Sequence, residues 1–226
     1  MGVMDEVNSL KETIDLLNKN NSDIEILLMY SNYSSIDSWN MGMQLSNVYN
    51  NLTLKIQEIP GVGGAYIDGI NRSNTDLILL MSSDLETDPR LVKEMIFYLS
   101  NHPEIDIVTV SRWKNKAGFL GYSKILIILN YIFQLILRVI FKSNLSDFTY
   151  AFRVYRKSIL QDLNFKETRH GFFLESLLLP LLQGGKAFEI SGVMRSRSEG
   201  KRHISFYGYL TYVRVAYRSV IKKGVL

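Results

Sequence analysis

Residues 77–99 read LILLMSSDLETDPRLVKEMIFYL, and the order of residue types in them sets the fold class. Residues 77–81 are a short unbroken apolar run, the pattern of a strand covered on both faces of a parallel sheet. Residues 89–99 repeat apolar positions at helical spacing behind Pro89, whose fixed φ and missing N–H suit the first turn of a helix. Between them lies an acidic turn. Ligands of open α/β sheets bind at the carboxyl ends of strands, so this turn is the first place to look for chemistry.

Working outward, the same alternation recurs. Residues 3–17 have helical spacing, 24–29 (IEILLM) form another buried apolar run, 39–49 read weakly as helix, and 52–56 alternate as a strand. A glycine-rich turn precedes a helix over 65–70, and 105–110 form a further strand. Strands separated by helices imply a doubly wound, mostly parallel α/β layer structure. The 226 residues, 46% apolar, suffice for one sizeable core. A single domain over 1–226 is expected, with 1–120 as one half and 121–226 as the other.

The second half differs in character. Residues 125–141 are apolar except for Asn130, Gln134 and Arg138, four apart and therefore on one narrow stripe of a helix flanked by Lys124 and Lys142. Packing in protein, contact with a membrane surface and a true span all fit that pattern, the first two better than the last. Helices over 157–163 and 172–182 follow, then a strand over 187–194, the basic run RSRSEGKRH at 195–203, and a helix over 206–221 with interleaved tyrosines and arginines.

Charge divides the same way. Residues 1–110 carry 6 Lys/Arg against 16 Asp/Glu, a net of −10, and 111–226 carry 20 against 6, a net of +14. An acidic half joined to a basic half suits a protein that handles a cation on one side and phosphates or an anionic surface on the other. With no cysteine, disulfide scaffolds and zinc-thiolate domains are excluded. No N-terminal segment has signal-peptide order, so a cytoplasmic location is expected.

Four constellations can carry chemistry. In residues 81–89 the acidic side chains Asp84, Glu86 and Asp88 alternate; an extended backbone would point them one way, where they could share a hard divalent cation. The competing reading is a solvated turn with Asp88 capping the next helix. Gly61, Gly63 and Gly64 form a turn whose backbone N–H groups could approach a phosphate, or a plain turn. Asp147, Arg153 and Arg156 lie in SDFTYAFRVYRKSIL, either as a functional loop or as an Asp147–Arg153 ion pair. The cluster Arg195, Arg197, Lys201, Arg202 and His203 could grip phosphate oxygens bidentately, or be a solvated basic loop. Nucleic acid is a weak alternative without a reader motif, and the three scattered histidines make no nucleophile arrangement.

The ordered set of glycine turn, acidic turn after a buried strand, DIVTVSRW, apolar helix, SDFTYAFRVYR, FFLESLLLPLL and the Arg-Gly-Lys loop resembles glycosyltransferase family 2, nearest its dolichol- and polyprenyl-phosphate sugar transferases. The resemblance implies a GT-A fold, a nucleotide-sugar donor, Mg²⁺ or Mn²⁺, and inverting transfer to a lipid phosphate by an enzyme peripheral on the cytoplasmic membrane face, with a homo-oligomer open. By position, SSDLE matches the family's D-x-D-L-Q, making Asp84 the catalytic metal ligand, Glu86 a second ligand and Ser82 the occupant of the first aspartate position. Gly61, Gly63 and Arg112 match donor-side residues, and Tyr30 and Ser31 stand where the family has its paired aspartates. Asp147, Arg153, Arg195, Lys201 and Ser205 match residues around the acceptor phosphate, with Arg197 and Arg202 beside them and Arg153 as a catalytic candidate. The family's first strand, with its Asn-Glu ending, has no counterpart in this reading. A non-catalytic, membrane-associated descendant of the fold is the rival expectation.

Overall fold

The computed structural model describes residues 1–21, 23–115, 118–197, 199 and 206–223. Three parallel strands, β1 (Gly2–Val3), β2 (Ile26–Tyr30) and β3 (Leu52–Ile56), form one sheet in that order, with helices α1 (Asn8–Asn20), α2 (Ile36–Val48) and α3 (Val62–Arg72) as its crossovers and cover. A second sheet has the order β4 (Leu77–Leu80), β7 (Arg153–Arg156), β5 (Ile107–Ser111), β8 (Ala187–Ser191). Helix α4 (Val92–Asn101) joins β4 to β5, and β7 runs antiparallel between them. A two-stranded ribbon of β6 (Phe119–Leu120) and β9 (Met194–Arg195) covers the strand ends.

Sequence periodicity located these elements to within a few residues, with two corrections. A strand does precede the first helix: Gly2 and Val3 pair in parallel with Met29 and Tyr30, and α1 begins at Asn8 rather than near residue 3. Asp5 and Glu6 therefore stand at a strand end, where the resemblance placed an Asn-Glu pair and found none. Because β1 is two residues long, the rest of the β2 edge faces the β4 edge across a cavity of about 720 Å³ lined by Met1, Leu27, Gly69, Leu77 and Leu79 among others. Second, 153–156 is a central strand rather than a loop between helices, and the helix expected over 157–163 contracts to a 3₁₀ turn, Lys157–Ile159. RVYR hides its strand character because its two arginines are satisfied internally. Arg156 donates to the carbonyls of Leu99, His102 and Ile105.

Helix α5 (Lys124–Phe141) is inside-out. Two residues of its polar stripe face the protein while Arg138 is exposed: buried Gln134 accepts from the Phe148 N–H at 2.8 Å and donates to Thr149 Oγ1 at 2.8 Å, and Asn130 reaches the same hydroxyl. Its apolar side chains face out, including Ile125, Ile128, Leu129, Ile132, Ile136 and Val139, and only 11% of the helix is buried. By length and composition it could cross a membrane. By contrast α6 (Phe172–Leu182), equally apolar, is buried over eight of its eleven residues. Helix α7 (Phe206–Lys223) is tied to the body through Arg214 and Arg218, which pair with the buried carboxylate of Glu167. It adds exposed Leu210, Val213, Tyr217 and Ile221.

Candidate functional site

The site grows from the turn after β4. Leu85 takes a left-handed backbone conformation (φ 60°), so the segment is a turn and not the extended run that alternation suggested. Asp84 Oδ1 accepts from the Glu86 N–H at 3.0 Å, which fixes the turn. The turn is pinned from every side: Ser82 Oγ meets Thr87 Oγ1 at 3.1 Å, Ser83 donates to the Gly2 carbonyl, and Tyr66 to the Met81 carbonyl. Tyr150 donates to the Glu86 carbonyl and Tyr122 to the Glu86 carboxylate, each at 2.9 Å. Asp88 turns away, capping the 3₁₀ turn Pro89–Leu91 and pairing with Arg90, as its position before proline implied.

Asp84 is 2% exposed, and its Oδ2 has no hydrogen-bond partner among the described residues. The Arg197 guanidinium lies against it, with Nε 2.7 Å from Asp84 Oδ2, 3.5 Å from Glu86 Oε1, and Nη1 3.9 Å from Glu6 Oε1. Burial works against the Arg197 charge, but Asp84, Glu86 and Glu6 outweigh it and raise its pKa above the ordinary value. Glu6 was missed by sequence reasoning; its signal was an acidic pair directly after an apolar residue. It is buried, and its other oxygen accepts from the Met4 and Asp5 N–H groups.

Two residues beyond Arg197, Glu199 sits on the N-terminus of α1. Its carboxylate accepts from the backbone of Val7, Asn8 and Ser9 and from both side chains of Asn8 and Ser9, at 2.6–3.1 Å. Slight burial opposes its charge, but these donors hold its pKa down at about 2. Arg195, exposed on β9, donates its N–H to the Glu86 carbonyl at 3.3 Å. Lys201, Arg202 and Ser205, together with His203, lie outside the described residues.

Other expected site residues turn out to hold the fold. Arg112 is buried, bonded to both oxygens of Asp147 at 2.6 and 2.8 Å and to Thr149, and sandwiched between the rings of Phe119 and Tyr150, each 4.9 Å from its guanidinium carbon. Burial would raise the Asp147 pKa, yet Arg112 and the surrounding N–H donors leave it below the ordinary carboxylate range. Neither group is available to a donor or an acceptor. Glu189 in turn accepts from the Ser146 and Asp147 N–H groups, fixing that loop.

Arg153, the catalytic candidate, is fully buried. It donates to Thr109 Oγ1, Ser176 Oγ and the carbonyls of Phe148 and Phe173. It reaches neither Asp147 nor the site. Tyr30 is likewise a core residue, its hydroxyl donating to the Ser38 carbonyl and burial pushing its pKa up to about 12. Ser31 is spent on a turn with Tyr33 and Ser34.

The glycines serve packing. Gly61 has φ +94°, and a side chain there would collide with the Thr168 carbonyl; one at Gly63 would strike Phe172. The Gly64 N–H donates to that Thr168 carbonyl at 3.1 Å, so the turn is closed by protein rather than open to a phosphate.

What remains at the strand ends is a compact acidic centre of Asp84 and Glu86, with Glu6 behind and an arginine in front. Two hard carboxylates fit a divalent cation that draws its remaining ligands from water or substrate phosphates. No cluster of three or more metal-binding side chains exists among the described residues, so a cation here depends on such outside ligands.

A model of glycosyl transferase family 2 matches residues 2–163. Among solved structures, glucosyl-3-phosphoglycerate synthase from Mycobacterium tuberculosis in complex with uridine diphosphate superposes with TM-score 0.73 at 15% identity, over 97% of this chain and 78% of that one. The same enzyme with Mn²⁺, uridine-diphosphate-glucose and phosphoglyceric acid matches with TM-score 0.73 at 14% identity, over 97% and 77%. At such identities the likeness is one of fold.

Proposed function

The chain belongs to glycosyl transferase family 2, and from that membership we propose that it moves a sugar from a nucleotide-sugar donor to a phosphate-bearing lipid acceptor at the cytoplasmic membrane face, with Mg²⁺ or Mn²⁺ assisting. The observation that carries the reading is Asp84: a buried carboxylate at the carboxyl end of a strand, one oxygen without a hydrogen-bond donor among the described residues, and Glu86 beside it. Asp84 Oδ2 is met by a partly exposed arginine rather than by a saturating set of hydrogen-bond donors, and a buried carboxylate so held at a strand end fits a ligand position better than a structural one. The fold's likeness to an enzyme solved with Mn²⁺ and uridine-diphosphate-glucose supports the same assignment.

Asp84 and Glu86 would hold the cation, which when bound neutralises the charge building on the departing diphosphate. The protein's own residues then position. A phosphate monoester has a second pKa near 6, is mostly dianionic at neutral pH, and attacks without a dedicated protein base. An oxygen of the acceptor forms the new bond to the anomeric carbon as the bond to the diphosphate breaks, inverting the configuration. Arg195, exposed beside the Glu86 carbonyl, is suited to hold the incoming phosphate. Arg153, in the core, has no part in this.

The acceptor reading rests on α5 and α7. A helix that turns its amides inward and presents isoleucine, leucine and valine outward, between Lys124 and Lys142, matches the chemistry of an interface between anionic headgroups and acyl chains. A phosphorylated acceptor anchored in lipid would then be brought to the acidic centre along this face.

The test measures nucleoside diphosphate released from a panel of nucleotide sugars with Mg²⁺ or Mn²⁺, offered polyprenyl phosphate in vesicles or 3-phosphoglycerate in solution. Turnover with the vesicle acceptor is expected. Turnover only with 3-phosphoglycerate would remove the lipid acceptor, and none with any donor, from folded protein, would remove the whole reading. Ile128→Glu with Ile132→Glu should leave the fold intact and abolish retention on anionic vesicles.

A further inference from the structure

Resting on the reading of Asp84 and Glu86 as cation ligands, we infer that Arg197 and Glu199 act together as an internal strap in which Arg197 occupies the cation position, and that cation binding must displace Arg197. Two independent contacts support this. Arg197 places its Nε 2.7 Å from the Asp84 oxygen that has no hydrogen-bond partner among the described residues, and 3.5 Å from Glu86, so a positive charge already stands between the two carboxylates. Glu199 is seated on the first turn of α1, where its carboxylate takes the backbone N–H groups of Val7 and Ser9. Arg197 thus meets carboxylates and Glu199 meets the N–H donors at the start of α1.

The contact with Asp84 is suited to exchange. Arg197 is about a third exposed on its side chain, whereas Asp84 is almost completely buried. The ion pair is anchored on one side only, and the guanidinium can leave into solvent while the carboxylates stay in place. A divalent cation and a guanidinium cannot share the position between Asp84 and Glu86, because like charges at such separations repel strongly in a partly buried site. Apparent cation affinity is then the intrinsic affinity reduced by the fraction of molecules with the strap closed. Mutual exclusion also means that a cation-loaded protein has Arg197 free beside the incoming phosphate groups.

The experiment titrates Mn²⁺ alone, and Mn²⁺ with uridine diphosphate, into the full chain and follows free Mn²⁺ by its electron paramagnetic resonance signal. Arg197→Ala should bind Mn²⁺ roughly ten-fold more tightly than the unaltered protein, on the scale of one charge-assisted contact. Arg197→Lys should fall between. Glu199→Gln, which loosens the strap without touching the cation position, should tighten binding about two- to three-fold. Thermal melts of each variant confirm folding.

Unchanged or weaker binding by Arg197→Ala, with Asp84→Asn still abolishing it, would overturn the strap and leave the cation site standing. If no variant binds Mn²⁺ in either titration, the cation site fails and the strap with it.

Discussion

Two of the arginine–aspartate pairs in this molecule, Arg112–Asp147 and Arg197–Asp84, share their residue types and a buried aspartate but differ in how far each is closed. Arg112 and Asp147 are both buried, joined by two side-chain hydrogen bonds and a third from the Arg112 N–H, supported by Thr149 and by N–H groups of the 147–150 turn, and covered by two aromatic rings. Arg197 and Asp84 share one contact, the aspartate is buried, and the arginine comes from a strap at the surface. The first pair is closed on all sides and can only hold structure. The second leaves a carboxylate oxygen that something else could coordinate. Identity of residues does not separate a structural pair from a functional one; saturation of the hydrogen bonds and the burial of both partners do.

Breaking the closed pair should have the largest effect on stability. Asp147→Ala leaves a buried guanidinium unpaired and is expected to cost about 3–5 kcal/mol, read from urea unfolding. The same aspartate makes an acid signature. Its folded pKa is below the unfolded one, so its contribution is fully present above about pH 4 and is lost as pH falls toward the folded pKa. Unfolding curves measured from pH 6 down to pH 3 should therefore be flatter for Asp147→Asn than for the unaltered protein.

The distinction between closed and open positions can be sharpened within one helix. Gly64 and Gly69 are both in α3, but a methyl group at Gly64 would collide with the Ile59 carbonyl, while one at Gly69 meets only Met29 Cγ at 3.7 Å. Gly64→Ala is expected to cost about 1–3 kcal/mol. Gly69→Ala, which extends toward the cavity between the two sheets, is expected to stabilise by up to about 1 kcal/mol through helix propensity. Thermal midpoints moving in opposite directions would bear this out.

The smallest stability effect belongs to the open pair. Asp84→Asn keeps the acceptor for the Glu86 N–H and removes one contact to a partly exposed arginine, so unfolding should shift by less than about 1 kcal/mol. A shift comparable to that of Asp147→Ala would mean that both pairs are structural.

Much of the fold was legible because hydrophobic runs and helical spacing are local. Residues 26–30 and 77–80 are strands where apolar runs lay, 107–111 is a strand where one was expected over 105–110, and Asp88 before Pro89 caps as its chemistry requires. What escaped was non-local. The strand character of RVYR depends on Arg153 finding Thr109, Ser176 and two carbonyls from distant segments, which no window of sequence displays. The orientation of α5 was open for a related reason: an apolar helix with a polar stripe can face either way until a partner such as Thr149 is placed beneath the stripe.

The site was half legible. Asp84 and Glu86 were found because they follow a buried strand, but their convergence comes from a left-handed turn at Leu85 rather than from strand alternation. Arg112, Arg153 and Tyr30 were assigned by position in a pattern, and the structure uses each of them to saturate buried polar groups. Glu6 went unremarked because no motif surrounds it, and Glu199 because the run around it was read for its basic residues; each is defined by what it touches.

The most direct test of the account is a calorimetric titration of uridine diphosphate into the full chain with and without Mn²⁺, repeated with Asp84→Asn. Binding is expected to require Mn²⁺ and to be lost in the variant while its melting temperature barely moves. Equal affinity without the metal, or undiminished affinity in Asp84→Asn, would contradict the assignment of Asp84 as the centre of the site.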